Sequence, residues 1–78
     1  MKNAFLVCVT GTSRKFYVIE QKKQTGGRFI VRGAWGRIGQ APKNQTKYDG
    51  TSEDQARREF AKVLETRLNH GYELVSSS

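Results

Sequence analysis

The amino-acid sequence predicts an α+β fold in which an antiparallel sheet of about four strands carries one helix packed across it. Two observations predict it. Short runs of β-forming residues separated by glycine-rich turns fill the first part of the chain, and a single stripe of apolar residues at helical spacing follows them. The order of three or four strands and then one helix implies one antiparallel sheet with that helix against it.

Ala4-Phe5-Leu6-Val7-Cys8-Val9 reads as the first strand, closed by the turn Thr10-Gly11-Thr12-Ser13. Phe16-Tyr17-Val18-Ile19 opens the second, whose polar continuation Glu20-Gln21-Lys22-Lys23 is expected to run past the core into solvent. Thr25-Gly26-Gly27 tolerates positive φ and Arg28-Phe29-Ile30-Val31-Arg32 restarts the pattern, so residues 16–32 form a hairpin. Alternation puts Phe29, Val31, Gly33 and Trp35 on one face and Arg28, Ile30, Arg32 and Ala34 on the other. Gly33, Gly36 and Gly39 recur every third residue, which favours bends or close backbone approach over a regular strand. A loop through Pro42 leads to a short fourth strand at Gln45-Thr46-Lys47-Tyr48.

The helix is expected to start at Ser52, a capping residue followed by the acidic pair Glu53 and Asp54 where the helix dipole favours negative charge. Ala56, Phe60, Val63, Leu64 and Leu68 form its apolar stripe, and Gly71 is placed to cap its C-terminus with Tyr72 in the accompanying hydrophobic contact. Residues 1–75 thus make one domain, with Glu73-Leu74-Val75 as a last extended segment and Ser76-Ser77-Ser78 as a disordered tail.

Charge separates function classes. The 78 residues carry a formal net charge of +7. Residues 1–50 hold ten basic and two acidic side chains, a net of +8, whereas residues 51–78 hold four basic and five acidic ones, a net of −1. A field concentrated in this way attracts polyanions, nucleic acid foremost. Catalysis finds no foothold: the sequence has no nucleophile–imidazole pair with an orienting group, no paired carboxylates in a pocket-forming context and no phosphate-cradling loop leading into a helix. The lone Cys8 excludes an internal disulfide and a cysteine zinc site, and His70, without a second ligand nearby, reads as a helix-end residue. No metal and no cofactor are expected. The opening apolar run is too short to span a membrane and lacks a signal-peptide pattern. The expected compartment is the cytoplasm of a bacterium or the nucleus of a eukaryote, without secretion.

Around Trp35-Gly36-Arg37-Ile38-Gly39 the sequence resembles the WGR family, named for that tripeptide. The resemblance rests on anchors in the family's order: Lys15-Phe16-Tyr17-Val18-Ile19, the tripeptide region, the helix with Ala56 and Phe60, and Gly71-Tyr72. It departs at Arg14, where an asparagine is common, and in the Pro42-Lys43-Asn44-Gln45 loop, where the family often has Gly-Gln. In the WGR domains of poly(ADP-ribose) polymerases the family tryptophan packs on the terminal sugar near the 5′ end of a DNA break and the arginine makes polar contacts. The resemblance therefore implies these roles for Trp35 and Arg37.

The residues also argue for themselves. A tryptophan between small neighbours with a cation beside it offers a surface for a base or sugar and a fork for phosphate. Alternation equally allows Trp35 to be core, since it shares a face with Phe29 and Val31. The candidate nucleic-acid-binding residues are Trp35, Gly36 and Arg37, joined by Arg14, Lys15, Arg32, Lys43 and Lys47. The expected partner is DNA at ends, nicks or junctions, contacted through backbone and terminus and not through sequence. The alternative is a protein-interaction module whose same surface docks an acidic partner.

Overall fold

The computed structural model describes residues 2–78; Met1, the first residue of the expected domain, lies outside them. Five strands and one helix follow in the order β1 (Lys2–Thr10), β2 (Ser13–Gln24), β3 (Arg28–Arg37), β4 (Lys43–Gly50), α1 (Glu53–Asn69) and β5 (Glu73–Ser77). All neighbours are antiparallel, and the spatial order is β4-β3-β2-β1-β5. The chain thus meanders from β1 to β4, and α1 carries it back over one face of the sheet so that β5 joins the free edge of β1.

The turns behave as their glycines suggest. Gly11, at φ +58°, closes the β1–β2 hairpin between the paired Thr10 and Ser13, and Gly26 and Gly27, at +88° and +77°, close the β2–β3 hairpin. The glycines that recur every third residue divide between the expected bend, the expected close approach and regular strand. Gly33 and Gly36 sit in regular strand, paired with Ile19 and Phe16, and only Gly39, at φ +92°, makes a turn. Gly33 is demanded by space: a Cβ there would lie 2.6 Å from the Tyr17 hydroxyl.

Leu6, Ile19 and Val31, from the three central strands, are fully buried and meet Ala4, Tyr17, Ala56 and Phe60. Ser52 caps α1 by accepting a hydrogen bond from the Gln55 amide at 3.1 Å, and the Ser52 amide donates to the Tyr48 hydroxyl, which ties the helix start to β4. At the far end His70 is the C-cap, Gly71 takes φ +88°, and the Gly71 and Tyr72 amides donate to the Leu68 and Arg67 carbonyls. The buried stripe of α1 is shorter than expected, because Leu68 is 44 % exposed. In the last turn Arg67 faces the sheet aromatics in its place, over the Tyr17 and Tyr72 rings.

The C-terminal serines lie differently from the expected tail. Ser76 and Ser77 belong to β5 and pair with Phe5 and Ala4, while Ser78 exchanges backbone hydrogen bonds of 2.9 Å with Asn3 in both directions. Serine is a poor strand former by propensity, but the unpaired edge of β1 supplies the ladder partners that the sequence does not reveal. The sheet therefore has five strands where about four were expected.

Candidate nucleic-acid interface

The pairing of three strand ends decides the geometry at the tripeptide. In the β2–β3 ladder Lys15 stands opposite Arg37, Phe16 opposite Gly36 and Tyr17 opposite Trp35, and in the β3–β4 ladder Trp35 stands opposite Lys43. Since side chains alternate across a sheet, Lys15, Tyr17, Trp35, Arg37 and Lys43 emerge on one face, the face that carries α1. They lie at the end of the sheet that the loop through Gln40 and Ala41 overhangs. Together with Tyr72 these elements bound an open groove of about 380 Å³. Its walls contribute three cations and two aromatic rings and no carboxylate. Among the described residues the ion pairs join Lys22 to Glu20, Arg28 to Asp49 and Arg57 to Glu53, so none neutralises Lys15, Arg37 or Lys43.

Trp35 is neither core nor free. It is half-buried, with its ring parallel to that of Tyr17 at a centroid distance of 5.7 Å and an interplanar angle of 10°. The Lys47 ammonium lies 5.7 Å from the Trp35 centroid. Because β2 and β4 flank β3, Tyr17 and Lys47 approach the indole from opposite sides. The ring stands as a slab on the sheet and offers its outer edge to the groove. Behind it Tyr17 is held by the Tyr72 ring, edge-on at 6.2 Å, and by the Arg67 guanidinium at 5.1 Å. Burial raises the Tyr17 phenol above its ordinary pKa of 10.0, the Arg67 charge opposing and Tyr72 adding to the shift. Tyr17 is therefore a neutral, packed support.

The eight candidate residues divide between the two faces. Lys15, Trp35, Gly36, Arg37 and Lys43 line the groove and Lys47 borders it through Trp35. Arg14, paired with Val9, and Arg32, paired with Glu20, are in the opposite alternation and point away from α1. The Gly36 backbone lines the groove, and a Cβ on it would make only ordinary contact, 3.5 Å from Pro42 Cα. Sequence reasoning missed Tyr72, Gln40 and Ala41 as groove residues. For Tyr72 a signal exists in the Gly71-Tyr72 anchor, which serves the sequence reading as a helix cap and a mark of the family and not as part of the site.

Comparison with protein families matches residues 4–78 to the WGR domain. The chain belongs to the WGR family. WGR domains are nucleic-acid-binding modules, binding rather than catalytic in kind, and the basic groove around the tripeptide suits that role. No curated protein and no solved structure matches this WGR domain. No helix among the described residues is long and apolar enough to cross a membrane, and no cluster of three or more potential metal ligands occurs among them.

Proposed function

We propose that this WGR domain binds DNA at strand ends or breaks, through backbone and terminus. The observation that carries the proposal is the groove itself: a half-buried tryptophan edge set among Lys15, Arg37 and Lys43, with no carboxylate in the lining. Phosphate oxygens suit the three cations, Arg37 as a planar fork and the lysines as point charges. Tyr17 and Lys47 attend the two sides of the indole, so Trp35 meets its ligand with the outer edge. An edge of this kind packs well on a terminal sugar, which a break exposes and a continuous duplex does not. The reading assigns no sequence preference, because backbone contacts carry none.

The experiment is a titration of nicked, blunt and covalently closed duplexes at one salt concentration. Tighter binding to the nicked and blunt duplexes is the expected result. Equal affinity for all three refutes end recognition.

A second reading is docking of an acidic protein partner, for which the face opposite α1, and not the tripeptide surface first expected, offers the supporting observation. There Phe5 and Val9 are 39 % and 54 % exposed, Phe5 stacks on Phe16 at 6.4 Å, and Arg14 stands beside Val9. A monomer seldom leaves such residues contiguous without use. Undetectable DNA binding at low salt, together with an acidic protein that binds the wild type and is lost on Phe5→Ser, favours this reading over the first.

A further inference from the structure

The groove at Trp35 has a neighbour behind it. Between the sheet and α1 lies a second open cleft of about 260 Å³, lined by Tyr17, Lys47, Lys62 and Arg67, with Glu59 as its one carboxylate. We propose that this cleft is a second phosphate-binding groove, which takes the backbone of the same nucleic acid beyond the contacts at the tripeptide. The inference rests on the function proposed above and extends its footprint onto the helix.

Lys47 reaches the cleft because of a local irregularity. The β3–β4 register runs Val31 to Tyr48 and then Arg32 to Thr46, so Lys47 is the extra residue of a β-bulge. In an unbroken strand it would alternate with Tyr48 and point away from α1. The bulge turns it to the helix side, where it lies over Trp35 and donates to Gln45 Oε1 at 2.9 Å. Bulges re-aim side chains in this way, and they gather near functional sites.

Arg67 is placed with equal care. Its guanidinium carbon is 5.1 Å from the Tyr17 centroid and 5.8 Å from that of Tyr72, and the two rings stand 81° apart, so the cation is held in the corner between them. Contact with the two rings localises the cation, and a guanidinium has five N–H donors with which to meet phosphate oxygens. Lys62, earlier on the helix, stands exposed at the rim. Among the described residues none of Lys47, Lys62 and Arg67 is in an ion pair, and Glu59 pairs with none of them. Three cations converging on one cleft repel one another, and a phosphate relieves that repulsion. The two grooves meet at the Trp35–Tyr17 stack, Trp35 lining the first and Tyr17 the second, and Tyr72 packs against both Tyr17 and Arg67. A basic track therefore runs from Lys43, past the indole, to Lys62.

The test compares salt-dependent binding to nicked duplex for Lys62→Ala, Glu59→Gln, Arg58→Ala and Arg37→Ala. Lys62 is exposed on a helix where alanine is well tolerated, and the thermal midpoint checks that the fold is kept. Lys62→Ala should lower the slope of log K against log salt by about one unit while leaving the preference for nicked over closed duplex unchanged. Glu59→Gln should tighten binding. Arg58→Ala removes an exposed cation of the same helix that does not line the cleft, and should leave the slope as in the wild type. Wild-type slopes in both Lys62→Ala and Glu59→Gln, with Arg37→Ala impaired, overturn the second groove and leave the proposed function standing. An equal drop in Arg58→Ala and Lys62→Ala also overturns it, because it reveals diffuse charge and no site. A silent Arg37→Ala beside an impaired Lys62→Ala sinks the tripeptide groove instead, and absence of wild-type binding at low salt sinks both.

Discussion

Trp35→Ala separates support of the fold from contact with the ligand, and the structure sets a magnitude for each. Truncating a fully buried aromatic residue costs about 3–5 kcal/mol. Trp35 is half-buried, so the loss is roughly 2 kcal/mol, of which the parallel stack on Tyr17 contributes about 1 kcal/mol. For a domain of this size, whose thermal midpoint moves by about 4–8 °C per kcal/mol, the midpoint should fall by roughly 8–16 °C. Domains typically hold about 5–15 kcal/mol, so the variant should still be folded at room temperature. Its affinity for nicked DNA should then drop by about 1–3 kcal/mol, a factor of roughly 5–150, with little change on closed duplex. Differential melting gives the first number and anisotropy titration with labelled nicked and closed duplexes gives the second. Trp35 is also the sole tryptophan, so its own fluorescence should respond when the wild type meets a DNA end. A folded Trp35→Ala protein with wild-type affinity for nicked DNA removes the indole from the site. Loss of the fold at room temperature would contradict the burial argument.

Other outcomes follow from the same geometry. Arg37→Ala should leave the melting temperature almost unchanged, since the exposed Arg37 side chain is in none of the ion pairs of the described residues, and should reduce the salt slope of DNA binding by about one unit; an unaltered slope argues against a phosphate contact. Gly33→Ala should destabilise the domain by about 1–3 kcal/mol, because its Cβ would press at 2.6 Å on a Tyr17 hydroxyl that Trp35, Tyr72 and Arg67 hold in place. Gly36→Ala meets nothing closer than 3.5 Å and should melt like the wild type, so equal melting of the two variants would contradict the packing described. The raised Tyr17 pKa makes the folded state hold its proton more tightly than the unfolded chain does, and that stability is complete below the ordinary value of 10.0 and lost as pH rises through the raised one. Melting temperatures measured between about pH 9 and pH 11 should fall more steeply for the wild type than for Tyr17→Phe, and parallel profiles would rule the phenol out as the cause.

The sequence by itself determined the elements whose causes are local. Gly11, Gly26 and Gly27 announce their hairpins because few other residues accept their backbone conformation. Ser52, the acidic first turn and Gly71 bound α1 through hydrogen bonds that reach only a few residues. The alternation of β3 placed Val31, Gly33 and Trp35 on one face, and the tripeptide with its anchors identified the family.

The tertiary structure decided whatever depends on partners far apart in the chain. Ser76 and Ser77 became strand because β1 had an edge to fill at Phe5 and Ala4, near the other end of the chain, a pairing that no local propensity encodes. Gly33 stayed in regular strand because β2 and β4 pair on both sides of it, Gly36 because β2 pairs with it, and the space Gly33 leaves is taken by Tyr17, a residue of the neighbouring strand. The eight candidate residues could be chosen from charge and proximity in sequence, but their division into two faces follows from cross-strand register and the side that α1 covers. Arg14 adjoins Lys15 in the chain and points the opposite way, which is the physical consequence of a period of two. Lys62 and Arg67 fall in the part of the chain with net charge −1, so composition directed attention away from them. Only the packing of α1 over β2, β3 and β4 brings those cations to the aromatic stack, since charge is counted along the chain and a field is summed through space.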